Sequence, residues 1–174
     1  MINWRKEVER RFDRDDWIGC VNYLKGELRH SNDMDMYLNL LYIYMYYLVD
    51  VADNKEYFRL YEMEIKQCYK QASDIYKNDD KYLFYVCFIA SMSEWFLDLT
   101  MDDLKRYMQT LYIKHPENIL YRWGYTLFCL RDRGLLREND LAVINSSVFH
   151  ELSEKSVLGV AMQNYIKYDL SATH

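Results

Sequence analysis

Apolar positions recur along this chain at intervals of three and four residues, the period of an α-helix and not of a strand. Two stretches are amphipathic in the ordinary way. Tyr57, Tyr61, Cys68, Ala72 and Ile75 share one face of residues 54–77, and Leu104, Tyr107, Met108, Leu111 and Tyr112 share one face of residues 101–115. Residues 34–51 and 80–98 differ. With successive residues set about 100° apart, each is apolar or aromatic nearly all round and carries one narrow polar seam. Asp35, Asn39, Tyr46 and Asp50 form the first seam. Asp80, Cys87, Ser91, Glu94 and Asp98 form the second. A helix apolar nearly all round is buried, so inner helices with one polar seam are expected to alternate with outer amphipathic ones.

Helix starts are marked by side chains that can accept from free backbone N–H groups. Asp13 with Asp16, Asp53 with Glu56, and Thr100 with Asp103 have capping-box spacing. Pro116 suits a first helical position, and Asn32 or Asp33 and Asp79 or Asp80 are further N-cap candidates. These signals predict helices over 3–12, 15–30, 34–51, 54–77, 80–98, 101–115 and 117–132, followed by 138–152 and 154–168. Within 117–132, Tyr121, Trp123, Tyr125, Leu127 and Cys129 also alternate as a strand does, but the helical flanks and Pro116 favour helix. The connections are short and no interdomain linker is visible. The expected fold is therefore all-α, one domain over residues 1–174 built of stacked helical hairpins. Tyr37-Leu38, Tyr82-Leu83 and Leu120-Tyr121 stand at comparable places, about 45 and then about 38 residues apart, as in an irregular α-solenoid.

Residues 101–135 carry a local resemblance. His115-Pro116-Glu117-Asn118 stands where tetratricopeptide repeats have a proline-containing turn, and Trp123-Gly124 where they pack a small residue between helices. The segment resembles the second helix of one such repeat running into the next. The resemblance implies a helical hairpin there.

Composition supports the helical reading and narrows the function. Five glycines and one proline are too few for a turn-rich β architecture. A net charge of −5 argues against nucleic acid as the partner, since binding phosphates needs a basic face. The two basic spots, Arg5, Lys6, Arg10, Arg11 and Arg14, then Arg131, Arg133 and Arg137, read as solvated helix surface. Cys20, Cys68, Cys87 and Cys129 are scattered without a Cys-x-x-Cys pair and read as reduced thiols, Cys87 the most reactive because it lies in a seam. The opening Met-Ile-Asn-Trp-Arg lacks the apolar run of a signal peptide, and the apolar stretch 37–49 is too short for a membrane span. A cytoplasmic protein with no membrane contact is expected.

No metal site or cofactor is expected either. His30, His115, His150 and His174 are isolated, and no His-Glu-x-x-His, Gly-rich phosphate loop or Gly-x-Ser-x-Gly elbow is present. Ser146, Ser147 and His150 are close, but no activating acid or oxyanion glycine accompanies them. The seam carboxylates could do acid–base work only if a cleft held two of them about 5–10 Å apart. Protein binding suits them better. The 18 tyrosines suit both core and interface, and Tyr46 inside a polar seam is the best interface candidate.

In size, charge and architecture the chain is similar to immunity proteins of bacterial toxin–immunity pairs, including contact-dependent growth inhibition systems. That similarity implies a non-enzymatic protein that binds and neutralises a basic toxin domain, commonly a nuclease. The expected partner surface is Asp35, Asn39, Tyr46, Asp50, Asp80, Ser91, Glu94 and Asp98. The alternative is a helical-repeat adaptor that holds a peptide in its groove.

Overall fold

The computed structural model describes residues 3–130 and 132–171. Arg131 and His174, which enter the readings above, lie outside them, as do Met1 and Ile2. The fold is all-α, with no strand among the described residues. One compact unit runs to Thr100 and a second begins at Met101.

The first unit holds α1 (Trp4–Phe12), α2 (Trp17–Glu27), α3 (Met34–Tyr46), α4 (Lys55–Tyr76) and α5 (Asp80–Ala90). Short polar side chains start these helices, Asp33 and Asp79 where the sequence suggests, the caps of α2 and α4 at shifted positions. Asp16 accepts from the Gly19 N–H, Asp33 from Met36 and Asp79 from Tyr82. Asn54 rather than Asp53 caps α4, and Asp13 closes α1 instead of opening α2. α3 is the centre of the unit and packs on α2, α4 and α5. Every residue from Met36 to Met45 is buried, as expected of a helix apolar all round. α4 is amphipathic and buries Tyr61, Ile65, Cys68 and Ala72; Ile75, expected on that face, is 48% exposed. α3 runs directly into a π turn, Tyr47–Val51, whose wider winding ends at Ala52 in the left-handed region (φ 38°).

The expected helix over 80–98 is shorter. α5 stops at Ala90, and Glu94–Leu97 form a separate 3-10 turn. Ser91 donates its hydroxyl to the Phe88 carbonyl (2.6 Å), occupying an acceptor of the last turn, and Ser93 is extended (φ −170°).

The second unit holds α6 (Met101–Lys114), α7 (Ile119–Tyr125), α8 (Arg133–Ile144), α9 (Ser147–Ser153) and α10 (Ser156–Ser171). Thr100 immediately precedes α6. Within 117–132 helix is preferred to strand, and residues 119–130 are helical, continuing from α7 into a π turn, Thr126–Leu130. Asn118, two residues after Pro116, caps α7 through the Leu120 and Tyr121 N–H groups. Where the pattern predicts one helix over 138–152, α8 and α9 meet at Asn145. α6 buries Leu104, Met108 and Leu111, and Tyr112 stacks flat on Tyr125 of α7 with ring centroids 4.7 Å apart. α7 packs on α8, and α10 packs on both α8 and α9.

The four cysteines are free. Cys87 is 0% exposed, so the expectation that it reacts first is corrected: it lies within the fully buried stretch 84–90 of α5. Cys20 and Cys68 are buried too, and burial pushes both thiols up to about 12. Cys129 is the half-buried one.

Candidate functional site

The first predicted seam is where α1 and α2 dock. Asp35 is paired with Arg5 of α1 at 2.8 Å. Asn39 is 0% exposed and donates its amide to the Asp35 carbonyl (2.8 Å), so it is a core residue. Tyr46 packs against Phe12 of α1 and Trp17 of α2, with centroids 5.4 and 5.3 Å apart, and against Tyr42 of its own helix. Asp50 alone of the four is fully on the surface, turned outward in the π turn.

The second seam does not survive as one stripe. Asp80 opens α5 and Ser91 closes it, so the helix, about 16 Å long, lies between them. Glu94 starts the 3-10 turn beyond the break. Asp98 follows it in the left-handed region (φ 54°), where it meets Lys66 of α4 at 2.6 Å. Four exposed or half-exposed groups remain, but they are not gathered.

The structure does gather acids elsewhere. The α1–α2 turn and the turn from α3 into α4 frame a cleft of about 270 Å³, with Asp15, Asp16 and Asp53 at its rim and Trp17, Tyr47 and Tyr57 against its floor. Asp16 is committed to capping α2 and to Arg11 (3.0 Å). Asp53 accepts from the buried Tyr47 hydroxyl (2.6 Å). Burial, reinforced by that carboxylate, pushes the Tyr47 phenol up to about 12, so it remains a donor at any physiological pH. Asp13, Asp15 and Asp50 are exposed and carry no ion pair among the described residues. Asp15 is held in the left-handed region (φ 57°), a conformation Asp tolerates better than most side chains. Such a cleft suits an arginine or lysine side chain. Carboxylates accept its N–H groups, and the Trp17 and Tyr57 rings offer π faces to its charge.

None of the eight residues to which the sequence pattern points as partner contacts lines this cleft; Tyr46 is linked to it through the contact of its ring with Trp17. The pattern marks Asp16 and Asp53 only as capping residues, and it does not mark Asp15, Trp17 or Tyr57 as site residues. The one signal present is three aspartates, Asp13, Asp15 and Asp16, followed directly by an aromatic.

A second concavity, of about 410 Å³, lies on α3 between α2 and α4. Glu64 on its wall accepts from the Tyr44 hydroxyl (2.7 Å) and from Lys25 (2.5 Å), and Gln67, Gln71 and Arg29 surround the opening. Burial and the Glu64 carboxylate raise the Tyr44 phenol far above its ordinary range. Among the described residues no three His, Cys, Asp or Glu side chains are grouped to hold a metal ion, and no helix is long and apolar enough to cross a membrane.

No family model, curated protein or solved structure matches the chain.

Proposed function

We propose that this chain is a non-enzymatic protein-binding protein, an immunity protein that neutralises a cognate basic toxin domain, with the acidic cleft of its first unit as the contact surface. The observation that supports this reading is the grouping of Asp15, Asp16 and Asp53 around Trp17 and Tyr57, in a chain of net charge −5. A nuclease must present a basic surface to hold phosphates. An acidic inhibitor is drawn to that surface, and its charges reject partners of the wrong sign. The aromatic floor gives the contact a desolvated centre, where binding energy concentrates. The predicted neighbour is a gene directly upstream for a large secreted protein with a variable C-terminal domain. Cells that make the chain are expected to survive production of that domain, and cells that make the Asp15→Lys variant to be killed by it. Equal killing with and without the wild-type chain contradicts the proposal.

A second reading, an adaptor that binds a peptide, rests on the concavity between α2 and α4. Its amide and guanidinium rim suits an extended backbone. Weak binding of many short peptides, with no tight folded partner, is its signature.

A further inference from the structure

The second unit contains one buried polar atom that the rest of the fold does not explain. Asp140, on α8, is 1% exposed. Its Oδ1 accepts from the indole N–H of Trp123 at 2.7 Å, while its Oδ2 has no hydrogen-bond partner among the described residues. Buried polar atoms are almost always satisfied, and an unpaired carboxylate oxygen is among the costliest exceptions. The group that acts on Asp140 from α10 is the carboxyl of Asp169. Two carboxylates side by side cannot satisfy each other, because both only accept; a single proton between them makes one a donor.

Among the described residues no cation is bonded to Asp140 instead; Arg137, one turn earlier on α8, is exposed. From α7, Arg122 turns its guanidinium to the neighbouring Asn139 (3.0 Å), whose amide in turn donates to Thr126 in the π turn (3.0 Å). From α10 the other ionisable group is the Tyr165 phenol, itself raised by burial and by both aspartates, with its ring edge-on to Trp123. His150 and Glu151 of α9 are exposed. Lys167 of α10 lies over the Phe149 ring.

We infer that Asp140 and Asp169 share one proton and form an acid-strengthened clasp, which fastens the C-terminal turns of α10 to α8 and loosens as pH rises. Asp169 is half-buried, so the proton can exchange with solvent. Burial first, and then the neighbouring carboxylate, raises Asp140 from 3.8 to about 6 against the hydrogen bond from Trp123. The sign follows from linkage. The folded chain binds this proton more tightly than the unfolded one, so the stabilisation is full below about pH 4 and is lost as pH rises through about 6. The half-buried Glu7, which the hydrogen bonds it accepts from Arg10 lower to about 2, behaves in the opposite sense.

The experiment follows the Trp123 indole N–H resonance by NMR from pH 4.5 to 8, together with amide hydrogen exchange at residues 166–171 of the full chain. The wild-type indole signal is expected to titrate with a midpoint near 6. After correction for intrinsic rates, the 166–171 amides are expected to exchange several-fold faster at pH 7.5 than at pH 5. Asp140→Asn, whose amide can donate to Asp169 at every pH, is expected to abolish both effects. Asp169→Asn is expected to move the midpoint down towards the usual aspartate range. An indole signal that does not respond to pH, or that responds unchanged in the Asp140→Asn variant, overturns the inference. If neither variant folds, the wild-type titration alone decides it.

Discussion

Gly159→Ala is expected to destabilise the chain by about 3 kcal/mol, seen as a lowered midpoint in urea at neutral pH. A Cβ at this position falls 1.6 Å from the Leu152 carbonyl oxygen and 2.7 Å from its carbon, both backbone atoms of α9. No rotamer change removes the clash, so α9 or α10 must shift and the packing of Leu152 and Leu158 shifts with it. Gly26→Ala is the matched control. A Cβ at Gly26 meets nothing within 4 Å, and within α2 alanine is the better helix former by roughly 0.5–1 kcal/mol. The same chemical change is thus expected to have opposite signs at the two positions.

Trp123→Ala is expected to have the largest effect of any single truncation in the second unit, about 4 kcal/mol or more. Trp123 is 0% exposed, so its removal opens a cavity among α7, α8 and α10. It also removes the N–H that holds Asp140 Oδ1, so this oxygen of a buried carboxyl loses its donor. Trp123→Phe separates the two contributions, since it keeps most of the volume and loses only the hydrogen bond. Its penalty in urea denaturation is expected to be smaller at pH 5 than at pH 7.5, because a protonated Asp140 is neutral and less costly to bury. An equal penalty at both pH values contradicts the assigned role of this hydrogen bond.

The helices and the distinction between buried and amphipathic ones are legible in the sequence because both follow from local pattern. Asx residues mark the starts, and Met36 to Met45 leave no face for solvent. The seams mislead because periodicity identifies a polar stripe but not what covers it. Asp35 is polar for Arg5, 30 residues earlier in the chain, and Tyr46 faces Phe12 and Trp17; neither relation leaves a mark in the helix that carries the seam. The second seam runs through Ser91, Met92 and Ser93, which break helices only weakly by propensity. Once the helix ends there, its angular arithmetic has no meaning for Glu94 and Asp98. The cleft is hidden for a related reason. Asp16 and Asp53 sit where capping residues belong, and only the packing of α1 to α4 brings their turns together.

The central claim is that an acidic, aromatic-floored cleft captures a basic protein. The most direct measurement is the association and dissociation rates of the purified chain with the toxin domain encoded beside it, at low and at high salt. For the wild type, association is expected to be fast at low salt and to slow at least tenfold at high salt. The Asp15→Lys variant is expected to associate more slowly and with a weaker salt dependence, and Tyr57→Ala to dissociate faster at an unchanged association rate. Rates that ignore salt and are the same in all three proteins would contradict the claim and move the contact away from this cleft.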